Sequence, residues 1–206
     1  MRGMTMPKAV LFDLDGVLVK SEEAWFRAVS QSGVKFRSGK AVSRKEFAPT
    51  FGQGTETDIA VFGLQCSREE LDAFYETEFL RHLGTVWVNP DAQPLLADLK
   101  AKGIKTALVT NSVVKIARAL VERAEVLSLL DVLATADRVK KSKPAPDLVE
   151  LALKELDVAP GDAWFVGDSR FDRNAAEAAN VKFVGMGIDG DSRIERLAEL
   201  MGSASA

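Results

Sequence analysis

The sequence predicts an α/β protein: a Rossmann-like parallel sheet core with helices on both faces, plus a small α-helical cap inserted after the first strand. Short apolar segments of strand length recur along the chain, and the strong ones end in a polar residue, as buried parallel strands do at a binding site. Helical patterns separate these segments, and strands that alternate with helices form parallel sheets covered on both faces. A long early segment without an apolar strand predicts the cap.

Three segments are strong strand candidates and two are weaker. The strong candidates are residues 8–13, 105–110 and 163–168, and the weaker ones are residues 132–136 and 181–187. Each has the length and apolar content of a strand buried inside a parallel sheet.

Three helical patterns follow or separate the later strands. Residues 91–102 place leucines on one side and are followed by Gly103, a typical helix stop. Residues 113–123 and 147–156 show helical patterns as well. We expect these helices to cover the sheet.

The segment between residues 16 and 89 contains no convincing apolar strand. We therefore predict two units, an α/β core of residues 1–17 and 90–206 and a helical cap of residues 18–89. Three stretches of the cap show helical spacing, and each begins with a serine suited to cap a helix N-terminus. These serines are Ser21, Ser43 and Ser67.

Composition excludes several classes of partner. The chain has 206 residues, with 27 Lys and Arg against 30 Asp and Glu, so it has no global basic field for a nucleic acid or an anionic membrane. No stretch approaches the roughly 18 to 20 apolar residues of a membrane span. The single Cys66 can form neither an internal disulfide nor a cysteine zinc cluster, which favours a reducing, cytoplasmic location.

Chemically active side chains gather where the predicted strands end. They are Asp13 and Asp15 after the first strand, Thr110, Asn111 and Ser112 after the next strong strand, Lys143 before the helix of residues 147–156, and Asp168 and Asp172 after the third strong strand. Parallel strands bring their carboxyl ends to one edge of the sheet, so these side chains should meet there. Hydroxyls at a helix start also supply free N–H groups for an anion.

Four carboxylates in one site require a cation. Two like charges about 4 Å apart repel by on the order of 4 kcal/mol at an effective dielectric near 20, and Lys143 alone cannot offset this for four acids. Oxygen ligands without nearby His or Cys suit Mg²⁺. A hydroxyl, an ammonium group, a helix N-terminus and Mg²⁺ together match the needs of a phosphoryl group.

In this order, the four segments resemble the four motifs of the haloacid dehalogenase (HAD) superfamily. The resembling segments are Asp13-Leu-Asp15-Gly16-Val17, Thr110-Asn111-Ser112, Lys143-Pro144-Ala145-Pro146 and Gly167 to Asp172. A helical insertion after the first motif is similar to the type 1 cap of the phosphoglycolate phosphatase and beta-phosphoglucomutase branch. Asn180 stands where relatives usually have Gly, and Asn tolerates the left-handed conformation that a helix end needs.

The resemblance implies a role for each site residue. Asp13 would be the nucleophile that forms an aspartyl phosphate, and Asp15 the general acid and then the general base. Thr110, Lys143 and the N–H groups of Asn111 and Ser112 would bind the phosphoryl oxygens. Mg²⁺ would be held by Asp13, the main-chain carbonyl of Asp15, and Asp168. Asp172 would either reach the metal through water or fix Lys143, and both roles stay open.

Other features have weaker claims. The loop Gly52-Gln53-Gly54-Thr55-Glu56 resembles one that family members lower over the substrate, or it is an ordinary turn. Arg44 and Lys45 could meet a second anionic group or simply face solvent. His82 is a minor candidate for a general base. The three tryptophans, Trp25, Trp87 and Trp164, are interpreted as packing residues.

The resemblance implies a Mg²⁺-dependent phosphatase that acts on a small phosphorylated metabolite, of the phosphoglycolate or sugar-phosphate class. We expect a monomer or small homo-oligomer without nucleic-acid or membrane partners. Two alternatives stay open. A phosphomutase of the beta-phosphoglucomutase type would use the same residues, and a phospho-receiver would store a phosphoryl group without turnover.

Overall fold

The fold is described for residues 6–202 in a computed structural model. Its strands are β1 (Ala9–Phe12), β2 (Val19–Lys20), β3 (Trp87–Val88), β4 (Lys105–Val109), β5 (Val132–Ala134), β6 (Ala163–Gly167), β7 (Lys182–Met186) and β8 (Ser192–Ile194). Six of them form one parallel sheet in the order β5-β4-β1-β6-β7-β8. The central strand β1 pairs with β4 on one side and β6 on the other, which brings the carboxyl ends of the three strong candidates together.

The α-helices of the described residues are α1 (Glu22–Phe36), α2 (Arg44–Phe47), α3 (Thr55–Phe62), α4 (Arg68–Leu80), α5 (Ala92–Ala101), α6 (Val114–Arg123), α7 (Asp147–Leu156), α8 (Arg170–Ala178) and α9 (Glu199–Gly202). Short 3₁₀ turns occupy Ala48–Thr50, Leu83–Thr85, Leu127–Leu129, Ala136–Arg138 and Pro160–Asp162. No described helix combines the length and the apolar composition that crossing a membrane demands.

Both faces of the sheet are covered, as the sequence predicts. Val10 and Phe12 of β1 belong to an apolar cluster that includes α5 and α6, whereas Ala9 and Leu11 belong to a second cluster with α7 and α8. All four side chains are at most 1% exposed. The sequence of a strand that is buried on both faces is a continuous apolar run, because neither face contacts water.

The predicted strands and core helices form within a few residues of their expected bounds, but several elements were missed. Strand β8 was missed because it is three residues long and carries the exposed Arg193. Helix α8 was not among the predicted core helices, although a helix end was expected at Asn180, because its start coincides with the motif after β6 and most of its side chains are polar. The expectation of no strand between residues 16 and 89 is wrong, since β2 and β3 pair there in two-residue strands.

Helices α1 to α4 lie between β2 and β3, and we refer to residues 21–86 as the insert. Strands β2 and β3 are antiparallel, with Val19 opposite Val88, so the chain enters and leaves the insert at adjacent positions. The apolar cluster that packs on α5 and α6 continues into the insert. The insert and the sheet therefore share a continuous core on this face.

Two of the three predicted serine caps form. Ser43 and Ser67 each accept a hydrogen bond from the third residue of their helix, whose Glu side chain bonds back to the serine N–H. These capping boxes satisfy N–H groups that a helix start would otherwise leave unpaired. Ser21 stands at the start of α1 but makes no side-chain cap bond, so that prediction is wrong.

Candidate active site

A cavity of about 250 Å³ lies where the carboxyl ends of β1, β4 and β6 face the insert. Seven of the eight candidate residues line it. They are Asp13, Asp15, Thr110, Asn111, Ser112, Lys143 and Asp168. The eighth, Asp172, is fully buried beside Lys143. The sheet topology thus brings together residues that are as much as 159 positions apart in the chain, from Asp13 to Asp172.

Lys143 joins two of the acids. Its Nζ lies 2.6 Å from Asp13 Oδ1 and 2.6 Å from Asp172 Oδ1, and it donates a third hydrogen bond of 2.9 Å to the carbonyl of Val109. Burial alone would lower the pKa of Lys143, but the two adjacent carboxylates outweigh burial and raise it. Lys143 is therefore a permanent buried cation beside Asp13.

The remaining negative charge exceeds what Lys143 offsets. Asp13, Asp168 and Asp172 each place a carboxylate oxygen within 4.8 Å of the others. The pKa of Asp13 is raised well above its ordinary value, first by burial and then by the charge of Asp172. The pKa of Asp168 is raised to about 7 by the same two causes. Clustered, desolvated oxygen ligands of this kind fit a hard divalent cation, which would neutralise their repulsion.

Gly16 allows the Asp168 carboxylate to lie against the loop after β1. Its φ is +87°, a left-handed conformation that favours glycine. A Cβ atom at Gly16 would lie only 1.8 Å from Oδ2 of Asp168. The glycine of the first motif is thus required both by its backbone and by the approach of the acid from the fourth motif.

Both oxygens of Asp172 are occupied. Oδ1 accepts from Lys143, while Oδ2 accepts from the N–H of Ser169 at 3.0 Å and from its hydroxyl at 2.5 Å. Ser169 and Asp172 form the capping box of α8. The start of α8 therefore fixes Asp172 in place, and Asp172 in turn holds the Lys143 ammonium.

The second motif forms a loop before α6. The Ser112 N–H donates to the Thr110 hydroxyl at 3.1 Å, and both residues are buried. Oδ1 of Asn111 accepts from the Lys143 N–H at 2.8 Å, and its amide donates to the carbonyls of Lys143 and Gly52, both at 3.0 Å. Asn111 thereby connects the second motif, the third motif and the insert.

Asp15 has a partner that the sequence interpretation missed. The buried hydroxyl of Ser21 donates a hydrogen bond to Oδ1 of Asp15. Burial raises the pKa of Asp15, and the bond from Ser21 acts in the opposite direction. In the sequence, Ser21 indicates only the start of a helix, so no pattern predicted its contact with Asp15.

Residues of the insert form one wall of the cavity. Gly52, Gln53 and Thr55 of the glycine-containing loop line the cavity, as do Trp25 and Asp58. Trp25 is therefore more than the packing residue expected, although its ring also contacts that of Phe79 at 4.7 Å. Asp58 was missed, because one acid within a helical pattern carries no signal.

The other weak candidates lie outside the cavity lining. Arg44 bonds Glu23 at 2.5 Å on the outside of the insert, and Lys45 is exposed. His82 contacts Glu78 at 3.3 Å within the insert. Trp87 is 48% exposed, so the expectation that it packs is wrong.

The helix-end expectation at Asn180 is confirmed. Its φ of +56° is left-handed, at the position just beyond α8 where relatives were expected to have Gly.

Comparison with known proteins agrees with this geometry. A model of the haloacid dehalogenase-like hydrolase family matches residues 10–186, which include all four motifs. The chain belongs to this family. The enzyme class expected from the sequence, a HAD-like phosphatase, is confirmed.

Relatives and solved structures cover nearly the whole chain. A provisionally named pyrophosphatase, PpaX of Caldanaerobacter subterraneus, is 30% identical over 85% of this chain and 80% of its own length. The phosphoglycolate phosphatase of Escherichia coli is 28% identical over 87% of this chain and 81% of its own. The crystal structure of CbbY from Rhodobacter sphaeroides with bound phosphate has a TM-score of 0.84 at 25% identity, covering 98% of this chain and all of the other.

Proposed function

We propose that the protein is a Mg²⁺-dependent phosphatase that hydrolyses a small phosphorylated metabolite through an aspartyl-phosphate intermediate. The observation that carries the proposal is the position of Asp13, which lies at the end of β1. It is 2.6 Å from the Lys143 ammonium and belongs to the acidic trio of Asp13, Asp168 and Asp172. A carboxylate in this position can attack phosphorus while a neighbouring cation offsets the charge of the phosphoryl group.

The acidic trio supports the metal. Asp13 and Asp168 would hold Mg²⁺ together with the main-chain carbonyl of Asp15, because the side chain of Asp15 is turned toward Ser21. Mg²⁺ would supply charge neutralisation for the phosphoryl oxygens and for the acids. Asp172 would act by fixing Lys143, since its two oxygens are already engaged.

The first step transfers the phosphoryl group to the enzyme. Asp13 attacks phosphorus, an oxygen–phosphorus bond forms, and the bond from phosphorus to the substrate alcohol breaks. Asp15 gives its proton to the departing alkoxide. Lys143, Thr110, Asn111 and Ser112 would bind the transferring oxygens, because all four residues line the same cavity.

The second step restores the enzyme. Asp15, now ionised, takes a proton from a water molecule as that water attacks the phosphorus of the aspartyl phosphate. The bond between Asp13 and phosphorus breaks, and inorganic phosphate leaves. The Ser21 hydroxyl would keep Asp15 oriented through both steps.

The insert limits the substrate to a small molecule. We propose that residues 18–89 act as a cap over the core of residues 1–17 and 90–206, because the cavity of about 250 Å³ is lined from both sides. That size suits a phosphoglycolate or a sugar phosphate, the two classes that the family resemblance implies. One relative is named a phosphoglycolate phosphatase, and CbbY has been crystallised with xylulose 1,5-bisphosphate, which supports the same range.

Release of inorganic phosphate from a panel of small phosphate esters, with and without Mg²⁺, tests the proposal. We expect release that requires Mg²⁺ and is abolished by Asp13→Asn. Release that persists in Asp13→Asn would contradict the nucleophile assignment. A phosphoryl group that accumulates on Asp13 or passes back to product without release would instead indicate the receiver or the phosphomutase.

A further inference from the structure

The insert side of the cavity contains a buried carboxylate. Asp58 of α3 is 7% exposed and lines the cavity. Its Oδ1 accepts a hydrogen bond of 2.6 Å from the Gln53 amide, and its Oδ2 accepts one of 2.9 Å from the Tyr75 hydroxyl. Each carboxylate oxygen can accept a further bond, so Asp58 retains capacity toward a ligand.

The hydroxyl donors around Asp58 are already used inside the protein. Thr50 donates to the carbonyl of Phe47 at 2.7 Å, and Thr55 donates to Asp72 at 2.6 Å. Tyr75 gives its proton to Asp58 itself. What these side chains still present is acceptor oxygens. A ligand group that contacts these hydroxyls or the Asp58 carboxylate must therefore supply the hydrogen-bond donor.

The wall also lacks positive charge. Among the cavity-lining side chains of residues 6–202, Lys143 is the single cation, and it is bound to Asp13 and Asp172. Arg44 is paired with Glu23 outside the cavity. A second anionic group on a substrate would meet acceptor oxygens and the Asp58 carboxylate without a cation to offset its charge, which is unfavourable.

Resting on the proposed function, we infer that the enzyme selects phosphate monoesters whose alcohol carries hydroxyl groups and no second anionic group, and that Asp58 binds those hydroxyls. The substrate class is thus the polyol or sugar monophosphates, rather than phosphoglycolate or sugar bisphosphates. Burial raises the pKa of Asp58 to about 7, and hydroxyl donors from a ligand would stabilise its ionised form.

Steady-state kinetics on five substrates tests this selection. The panel is 4-nitrophenyl phosphate, glycerol 3-phosphate, ribose 5-phosphate, phosphoglycolate and a sugar bisphosphate. We expect kcat/KM for a polyol or sugar monophosphate to exceed that for phosphoglycolate and for the bisphosphate by about tenfold or more, because unpaired polar groups in a buried site discriminate strongly.

Two variants assign the selection to Asp58. Asp58→Asn should lower kcat/KM for the favoured monophosphate by about tenfold, mainly through KM, while 4-nitrophenyl phosphate, which has no donor to offer, changes far less. Gln53→Lys places a cation beside Asp58 and should raise the relative kcat/KM of phosphoglycolate by about tenfold. Glu69→Gln, which makes the same charge change on an exposed part of α4, should leave the substrate ranking unchanged.

The outcomes distinguish a failure of the proposed function from a failure of the substrate inference. If Mg²⁺-dependent hydrolysis is absent for every ester of the panel, the proposed function fails. If it is present but phosphoglycolate or a bisphosphate is preferred, this inference alone is overturned. An unchanged ranking in both Asp58→Asn and Gln53→Lys overturns the role of Asp58. Circular dichroism establishes that each variant is folded before its ranking is counted.

Discussion

The side-chain amide of Asn111 donates a hydrogen bond of 3.0 Å to the main-chain carbonyl of Gly52, from the end of β4 across the cavity to the insert. The same side chain exchanges hydrogen bonds with both main-chain groups of Lys143. One residue therefore connects the loop after β4, the loop that contains Lys143 and the insert loop that lines the cavity.

Asn111→Ala should loosen the insert loop. The variant loses the bond to Gly52 and both bonds to the main chain of Lys143, each worth about 1 kcal/mol. We expect faster amide hydrogen exchange over residues 51–54 and a higher KM. Hydrogen exchange followed by mass spectrometry measures the first effect. Exchange over residues 51–54 at the native rate would show that the contact does not restrain the loop.

Lys143→Met should abolish activity and destabilise the fold. Removing a buried cation leaves Asp13 and Asp172 without their charged partner, at a cost of about 3 to 5 kcal/mol. Urea unfolding measures this change. The double variant Lys143→Met with Asp172→Asn should recover part of the stability, because one unpaired acid is removed, but none of the activity. A double variant no more stable than Lys143→Met would contradict this account.

Gly16→Ala should separate backbone strain from the clash with Asp168. The matched control is Gly39→Ala, whose φ of +80° is close to the +87° of Gly16 but whose added Cβ would have no neighbour within 4 Å. Both variants should lose about 1 to 2 kcal/mol of stability from the left-handed backbone. Only Gly16→Ala should also lose activity and the rise of Tm on adding Mg²⁺. Equal activity in the two variants would refute the role of the clash.

Ser21→Ala should reduce kcat with little effect on KM. The Ser21 hydroxyl is buried and donates a hydrogen bond to Asp15. Without this bond, Asp15, the proposed general acid and base, would no longer be held in one orientation. We expect a fall of about tenfold, the effect of losing one positioning bond to a charged group. Ser21→Thr keeps the hydroxyl and should retain most of the activity. Steady-state kinetics on the two variants tests this, and equal kcat values would count against it.

The pKa of Asp58 predicts a pH effect on stability. Burial raises this pKa from 3.8 to about 7, so between these values the folded state binds a proton that the unfolded state has released. The contribution of Asp58 to the free energy of unfolding therefore falls as pH rises from about 4 to about 7, by up to roughly 4 kcal/mol. Asp58→Asn should unfold with a smaller pH dependence than the native chain. Urea midpoints at pH 5 and pH 8 that shift equally in both proteins would refute the prediction.

The sequence predicted the sheet and the convergence of the motifs because buried strands leave a simple signal. Segments such as Ala163–Gly167 are apolar throughout, since helices cover both faces. The carboxyl ends of such strands must share one edge, so the relative placement of Asp13, Lys143 and Asp168 follows from topology.

The contacts across the cavity could not be predicted in the same way. Ser21 looks like a helix cap and Asp58 like one more polar residue of a helix, because their partners Asp15 and Tyr75 are set by tertiary packing. Strand β8 and the β2–β3 pair are too short to produce a periodic pattern of apolar residues. Sequence patterns thus find residues on the sheet more readily than residues that reach it from outside.

The pairing of Val19 with Val88 places both crossings of the chain between the insert and the core at one position. The insert residues that line the cavity, such as Trp25 and Asp58, are thus joined to the core through a stem of two-residue strands, whereas Asp13, Thr110 and Asp168, the residues proposed for phosphoryl chemistry, follow β1, β4 and β6. On the proposed function, a change in the sequence of the insert would alter which molecules are accepted, while Asp13, Thr110 and Asp168 would keep their places at the edge of the sheet. In this architecture, recognition and reactivity can evolve at separate rates.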